Sequence, residues 1–280
     1  MKKVLVTGAD GQLGKCFRAE QSAYPNIAFY FVNKTELDIS SPVAVQAFFL
    51  ENKFDYCINC AAYTDVETAE EAQEQAFLVN AIGVENLAKC CRQNNLTLIH
   101  FSTDYVFDGT AKQPYSEADI PNPINVYGAS KLKGENLIKE QLATYFIFRI
   151  SWLYSSYNKN FYTSILNLAN THKTLNITTE QTGTPTNATD VAKMVLKLIA
   201  KNNTKYGVYH YTNKGQATWF TFAKEIVKNA GLTTKVNPVD YYPTKAKRPV
   251  FSVLDLTKFE KTFQETSPLW EDSLRNLQPK

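Results

Sequence analysis

The sequence predicts an α/β protein built on a doubly wound parallel sheet. From residue 1 to about residue 155, short apolar runs alternate with helical patterns. Continuous apolar strands that alternate with helices are typical of parallel sheets covered on both faces. After residue 155 the alternation loosens. We therefore expect a sheet domain over residues 1–155 and a smaller α+β substrate lobe over residues 156–280, with an approximate boundary, because late segments could return to the sheet.

The apolar runs predict five strands, and the amphipathic patterns predict the helices that connect them. Strands are expected over residues 3–7, 27–33, 55–60, 96–102 and 145–150. Helices are expected over residues 12–22, 42–51, 69–93, 125–141, 160–170, 189–201 and 218–229. Ser41 and Pro42 suit the first positions of the second helix. A further extended piece is expected over residues 207–212.

Composition excludes several classes of protein. The 280 residues are 44% hydrophobic and 20% charged, with a net charge of +3. That charge is too small to predict a nucleic-acid or membrane-surface partner. The apolar start of the chain is too short for a signal peptide, and no apolar run approaches the length of a membrane span. We therefore expect a cytoplasmic protein.

The cysteines and histidines predict neither a disulfide framework nor a metal site. There are five cysteines and three histidines, and an odd number of cysteines without a secretion signal argues against disulfides. Cys57 and Cys60 have the spacing of half a zinc or redox motif. They lie at a predicted strand end without a second well-spaced pair, so we interpret them as buried thiols.

A glycine-rich loop follows the first strand and opens the first helix. Its glycines are Gly8, Gly11 and Gly14. Gly8 would allow the tight turn, Gly11 a close approach of the backbone to a pyrophosphate, and Gly14 close packing of the helix on the sheet. The helix N-terminus would supply free N–H groups to phosphates. This context predicts a Rossmann-type dinucleotide site.

The end of the second predicted strand bears on the choice of nucleotide. An acidic residue there would bind an unphosphorylated ribose, but Asn33 and Lys34 occupy the segment. Because a cation suits a 2′-phosphate, we predict NADPH as the cofactor, with NADH as the alternative. Asp38 and Ile39, just beyond, would suit contact with the adenine.

Tyr127 and Lys131 are spaced so that both side chains lie on one helix face. A phenol has a reference pKa of about 10, and a nearby ammonium would lower it toward working pH. Thr103, at the carboxyl end of the fourth predicted strand, is placed to offer a hydroxyl to a substrate carbonyl. Asn80, in the long predicted helix, could position the Lys131 region through water or could simply be solvated.

These motifs closely resemble the dTDP-4-dehydrorhamnose reductase family of extended short-chain dehydrogenases/reductases, over nearly the whole chain. The resemblance includes S-T-D-Y-V-F-D-G at residues 102–109, N-C-A-A-Y-T-D-V-E at 59–67, N-V-Y-G-A-S-K at 125–131, R-I-S-W-L-Y at 149–154, G-T-P-T at 183–186 and K-R-P at 247–249. The first of these segments is far more specific than the glycines or the Tyr–Lys spacing.

The resemblance implies roles for particular residues. The implied catalytic residues are Thr103, Tyr127 and Lys131. The implied cofactor contacts are Gly8, Gly11, Gln12, Leu13, Asp38, Ile39, Ala61, Ala62, Tyr63 and Asn80. The implied sugar contacts are Val66, Glu67, Thr103, Asp104, Tyr105, Tyr127 and Trp152, with Arg248 toward the diphosphate or nucleoside. The implied reaction is NADPH-dependent reduction of the C4 keto group of dTDP-4-dehydrorhamnose to dTDP-L-rhamnose.

Other functions remain open at this point. Some members of the family form dimers around Mg²⁺ held by glutamates, whereas the matching positions here are Cys16 and Thr189, which are poor Mg²⁺ ligands. We therefore predict no metal and a monomer or metal-free homodimer.

The alternative functions are those of an epimerase, dehydratase or reductase acting on another nucleotide sugar, and of a non-catalytic NADP-binding subunit like the regulatory β subunit of methionine adenosyltransferase.

Overall fold

The computed structural model describes residues 1–277 and has a six-stranded parallel sheet at its centre. Its strands lie in the order β2–β1–β3–β4–β5–β10. The strands are β1 Lys2–Thr7, β2 Ile27–Val32, β3 Tyr56–Asn59, β4 Thr97–Thr103, β5 Tyr145–Ile150, β6 Leu153–Tyr154, β7 Thr174–Thr178, β8 Thr182–Gly183, β9 Thr186–Asn187, β10 Gly207–His210, β11 Ala217–Thr218 and β12 Lys235–Val239. The predicted fold class is confirmed.

Helices cover both faces of this sheet. They are α1 Gln12–Glu20, α2 Pro42–Glu51, α3 Val66–Ala69, α4 Gln73–Phe77, α5 Val84–Gln93, α6 Val126–Gln141, α7 Phe161–Thr171, α8 Ala188–Ala200, α9 Trp219–Asn229, α10 Thr257–Phe263 and α11 Trp270–Arg275. Apolar side chains of α1 and α8 form one core with the sheet, and those of α2, α5 and α6 form another. No helix of residues 1–277 has the length and hydropathy needed to span a membrane.

The later half of the chain contributes to both the sheet and the lobe beside it. Strand β10 pairs in parallel with β5, so the return of a late segment to the sheet is confirmed. The extended piece is shorter than expected, since β10 ends at His210. A separate apolar core joins α7, α9 and α11 beside the carboxyl edge of the sheet. The division at residue 155 stays a prediction.

The helix predicted over residues 69–93 is wrong in detail. The structure has α4, a π-helical turn at Leu78–Gly83 and α5 in place of one continuous helix. Amphipathic spacing cannot reveal this interruption, because a π turn adds one residue without removing the apolar face. Val84 and Leu87 are fully buried as expected, whereas Phe77 is only half-buried. Asn80 lies in this wide turn and is fully buried.

A buried ion pair joins α6 to the sheet. Arg149 on β5 donates two hydrogen bonds to Glu135, at 2.9 Å from Nε to Oε1 and 2.8 Å from Nη2 to Oε2. Glu135 is 0% and Arg149 2% exposed. The Arg149 guanidinium keeps the pKa of Glu135 below its ordinary value although burial opposes this. The pair therefore fixes α6 against β5.

Glu135→Ala should lower the free energy of unfolding by about 3–5 kcal/mol, because Arg149 would be left buried and unpaired. Urea unfolding followed by circular dichroism measures the change. Glu225→Ala removes an exposed pair with Lys228 and should cost less than about 1 kcal/mol. Equal effects of the two substitutions would contradict the structural role of the buried pair.

Candidate active site

Two adjoining cavities open at the carboxyl edge of the sheet. The first, the glycine-loop cavity, has a volume of about 620 Å³, and the second, the Tyr127 cavity, about 510 Å³. They share Gly11, Cys60, Ala61 and Ala62 in their walls. An elongated ligand could therefore extend from one cavity into the other, at the place where open α/β sheets bind ligands.

The glycine loop has the backbone geometry that a phosphate site requires. Gly8 has a φ of 62°, and a Cβ there would lie 2.5 Å from the Ala61 backbone nitrogen. Gly11 is the N-cap residue of α1, and no side-chain hydrogen bond caps this helix end. No side chain therefore occupies the first N–H groups of α1, and Gly11, Gln12 and Leu13 lie in the wall of the Tyr127 cavity.

The segment after β2 lines the far end of the glycine-loop cavity. Its lining includes Asn33, Lys34, Asp38 and Ile39 together with Tyr63. The Asn33 Oδ1 atom accepts hydrogen bonds from the Thr35 and Glu36 backbone nitrogens at 3.0 and 3.2 Å, so this side chain shapes the turn. Lys34 is exposed. Hydrogen bonds from Ser40 lower the pKa of Asp38, and the Lys34 charge adds to this effect.

Thr103, Tyr127 and Lys131 meet in the Tyr127 cavity. Thr103 is the last residue of β4, and its Oγ1 accepts a hydrogen bond from the Tyr105 nitrogen at 3.1 Å. Helix α6 begins after Asn125, whose Oδ1 accepts from the Gly128 nitrogen at 2.7 Å. That cap places the first turn of α6, and with it Tyr127, beside the end of β4. The Thr103 hydroxyl donates to the Asp104 Oδ1 at 3.0 Å and lies near the Tyr127 hydroxyl.

Burial moves the titratable groups of this cavity toward their neutral forms. It raises the pKa of Asp104 to about 7 and lowers that of Lys131 to about 8. Burial also raises the pKa of Tyr127, and the neighbouring Asp104 adds to the rise. The expected lowering of the Tyr127 pKa by Lys131 is therefore wrong for this arrangement, because desolvation and Asp104 dominate.

Asn80 lies behind the cavity wall and is 0% exposed, so the expectation of a solvated side chain is wrong. Its Oδ1 accepts from the Tyr63 nitrogen at 2.8 Å, and its Nδ2 donates to the Tyr63 oxygen at 2.9 Å. Nδ2 also donates to the Ser130 Oγ at 3.0 Å. Asn80 thus joins the segment after β3 directly to α6, next to Lys131.

The expected sugar contacts lie at the other end of the Tyr127 cavity. Val66, Asp104, Tyr105, Trp152 and Arg248 line it. The Arg248 guanidinium donates to the Tyr105 hydroxyl at 3.1 Å and pairs with Glu67.

This pairing changes the expected role of Arg248. Glu67 lies behind Arg248 rather than in the wall, and it also accepts from the Lys245 nitrogen at 2.7 Å. Lys245 in turn pairs with Glu71 at 2.5 Å. The charge of Arg248, which we assigned to the diphosphate, is therefore balanced by the Glu67 carboxylate.

Two residues of the site escaped the sequence analysis. Trp219 stacks on Trp152 with ring centroids 3.5 Å apart and an interplanar angle of 6°. Trp152 has a φ of 44°, which is rare for a side chain of this size. His100, which received no functional role in the sequence analysis, is fully buried and lies 3.4 Å from the Lys131 Nζ. Both contacts join segments far apart in the chain, so local patterns carry no signal of them.

The positions that we matched to a metal-binding dimer interface lie side by side. The Thr189 hydroxyl and the Cys16 sulfur are 3.9 Å apart. Within residues 1–277, no group of three or more histidine, cysteine, aspartate or glutamate side chains is placed to bind a metal ion. The five cysteines all lie within the described residues and form no disulfide bond, and burial raises the pKa of the Cys60 thiol well above its ordinary value.

The fold and the site together define an oxidoreductase of the extended short-chain dehydrogenase type. The family model for the RmlD substrate binding domain matches residues 1–279. A dTDP-4-dehydrorhamnose reductase of Aggregatibacter actinomycetemcomitans is 36% identical, over 99% of this chain and 98% of its own. The chain belongs to the dTDP-4-dehydrorhamnose reductase family.

Solved structures agree with this assignment. The crystal structure of a dTDP-4-dehydrorhamnose reductase from Clostridium acetobutylicum is 41% identical with a TM-score of 0.93, covering 98% of this chain and 97% of that one. The reductase from Bacillus anthracis, crystallised in complex with NADP, is 37% identical with a TM-score of 0.94 and covers 99% and 98%.

Proposed function

We propose that this protein uses NADPH to reduce the C4 keto group of dTDP-4-dehydrorhamnose, giving dTDP-L-rhamnose. The observation that carries the proposal is the meeting of Thr103, Tyr127 and Lys131 in a cavity that adjoins the glycine-loop cavity. A hydroxyl pair beside a buried amine can polarise a carbonyl and deliver a proton to it. Membership of the reductase family supports the sugar nucleotide as the substrate class.

The residues of the glycine-loop cavity fit a dinucleotide phosphate. The uncapped start of α1 offers N–H groups, and Gly8 lets the loop pass against Ala61. Lys34 is free to approach a 2′-phosphate, and the complex of the Bacillus anthracis reductase with NADP supports the same cofactor here. NADPH supplies the hydride when bound.

The side chains of the Tyr127 cavity hold and deliver the proton. Because its pKa is raised, Tyr127 keeps its proton until negative charge develops on an oxygen hydrogen-bonded to it. Thr103, which lines the same cavity, can hold the same oxygen in place. Lys131 contributes its charge only where its pKa of about 8 leaves it protonated.

The sugar nucleotide would extend from Thr103 toward the Trp152–Trp219 stack. Val66, Asp104 and Tyr105 are proposed to contact the sugar, and the flat indole of Trp152 suits a sugar or base face. Arg248 would remain near the diphosphate, but its bond to Glu67 must be shared or broken for direct binding. Glu67 is therefore proposed to act through Arg248.

Location, oligomeric state and domain division complete the proposal. We place it in the cytoplasm, as a monomer or a metal-free homodimer. We also retain the division into a cofactor domain over residues 1–155 and a substrate lobe over residues 156–280, joined through β10. A test substrate set should include dTDP-linked 4-keto-6-deoxy sugars of other configuration, because the cavity lining does not by itself identify one epimer.

Tyr127→Phe should lower kcat by at least about a hundredfold, because the proton donor is lost. NADPH oxidation at 340 nm with enzymatically prepared substrate measures it, and fluorescence titration should show NADPH binding within about threefold of the wild type. Tyr206→Phe, remote from the cavity, is the matched control. A kcat that survives the loss of the Tyr127 hydroxyl would defeat the mechanism.

The rate of reduction should fall as pH rises through about 8, where Lys131 loses its proton. The raised pKa keeps Tyr127 protonated across this range, so it should not contribute to the loss. Asp104, with a pKa of about 7, adds a second ionisation that Asp104→Asn removes. Measuring kcat from pH 6 to about 10 in both proteins tests the assignment; a flat profile would contradict it.

Lys34→Glu should reverse or strongly reduce the preference for NADPH over NADH, because a carboxylate repels the 2′-phosphate and accepts from a ribose hydroxyl. The ratio of kcat/KM for the two cofactors measures the effect, which should be at least about tenfold. Lys112→Glu, an equal change of charge outside both cavities, is the control. An unchanged ratio would show that Lys34 does not bind the phosphate.

A further inference from the structure

A chain of buried polar side chains crosses three strands and ends at Lys131. The Thr7 Oγ1 on β1 donates to the Asn59 Oδ1 on β3 at 2.7 Å. The Asn59 Nδ2 lies 3.1 Å from the His100 Nδ1 on β4, and the His100 Nε2 lies 3.4 Å from the Lys131 Nζ. All four residues are at most 2% exposed. Lys131 therefore faces an imidazole on the side away from solvent.

The direction of the hydrogen bonds in this chain is determined by one backbone group. The Ala61 N–H can only donate, and it does so to the Asn59 Oδ1 at 3.1 Å. The other end of the Asn59 amide, which faces His100, must then be the NH₂ group. It donates to Nδ1, so a neutral His100 carries its proton on Nε2. That N–H points at the Lys131 amine.

The surroundings keep His100 neutral. Burial, reinforced by the Lys131 charge, holds the pKa of His100 well below its ordinary value. A neutral imidazole of this tautomer presents a donor to a group that is itself a donor when protonated. The contact at 3.4 Å therefore disfavours the ammonium form of Lys131, whose remaining hydrogens must point toward the Tyr127 cavity.

We propose that His100 is a positioning residue of the reductase site: held by Thr7 and Asn59, it directs an N–H at the Lys131 Nζ, fixing the orientation of this amine and weakening its hold on a proton. The proposal rests on the proposed function for its kinetic consequences. It adds a positioning role for Asn59, which otherwise lines the Tyr127 cavity.

The other titratable groups around Lys131 either favour its ammonium form or have no effect on it. Glu135, on the same helix, favours the ammonium. Cys60, after β3, has its pKa raised well above the ordinary value and stays neutral. Glu135 is already paired with Arg149 on β5, and this pairing reduces the stabilisation that Glu135 gives to the Lys131 ammonium. Tyr127 shares the cavity and stays protonated. Among these groups, His100 is thus the side chain that opposes the ammonium form of Lys131, so its replacement should strengthen that form.

Two substitutions separate the halves of the proposed contact. His100→Asn keeps a short amide that can still accept from Asn59, but it does not reach Lys131. His100→Gln reaches Lys131 and offers a carbonyl oxygen, which accepts from an ammonium. Both should move the alkaline fall of kcat to higher pH by at least about half a unit, His100→Gln by more, since each removes the opposing N–H. The Kd for NADPH should change less than about threefold.

His210→Asn is the matched control for loss of a buried imidazole. His210 is also 0% exposed, but it contacts the Tyr115 carbonyl and Arg149 instead of Lys131. It should lower the thermal midpoint without moving the pH profile. If the alkaline fall stays at the wild-type pH in both His100 variants, or moves equally in His210→Asn, the proposal is overturned.

A second measurement does not depend on turnover or on a variant that folds. Nitrogen-15 NMR of the wild-type protein with NADPH bound should show His100 with a proton on Nε2 and none on Nδ1 down to about pH 5. The three histidines make assignment direct. The opposite tautomer or an imidazolium would overturn the proposal. If the protein binds NADPH but does not turn over the keto sugar, the proposed function is wrong. The NMR spectrum still tests the contact between His100 and Lys131 in that case.

Discussion

The close approach of α6 to its neighbours sets the position of Tyr127 and Lys131. A Cβ at Gly128 would lie 2.1 Å from the Tyr105 carbonyl oxygen, and one at Gly134 would lie 2.2 Å from the Asn80 carbonyl oxygen. Both distances are far shorter than any tolerated contact. Glycine at these two positions therefore lets the helix pack against the end of β4 and the π turn. The proton donor and the amine lie between these two points of contact.

Desolvation is the second constraint, and it acts in the same sense on several titratable groups in and beside the Tyr127 cavity. Asp104, Tyr127, Lys131 and His100 all have their pKa values shifted toward the neutral form. The charges that remain buried are paired, as Glu135 is with Arg149. A site with few free charges provides a weak dielectric response, so a developing negative charge on a substrate oxygen interacts strongly with the hydroxyls beside it.

The sequence predicts those features that depend on local pattern. The strand limits are within two residues at each end, and the Asn125 cap and the glycine loop lie where their spacing indicates. The meeting of Thr103 with Tyr127 follows from the carboxyl edge of a parallel sheet. The π turn, the Trp152–Trp219 stack and the contact of His100 with Lys131 depend on distances between remote segments. The sign of the Tyr127 pKa shift depends on burial, which spacing alone does not reveal.

The walls of the two cavities are built differently. This difference explains why the cofactor site can be predicted from a sequence motif more readily than the sugar site. Backbone groups of one continuous loop, with few side chains, form the phosphate end of the glycine-loop cavity. Such a site leaves a glycine pattern in the sequence. The sugar end of the Tyr127 cavity is assembled from Val66, Tyr105, Trp152, Trp219 and Arg248, which come from five separate segments. Its shape depends on the Glu67–Arg248–Tyr105 contacts, so a change in any one segment can alter the accepted sugar without altering a motif.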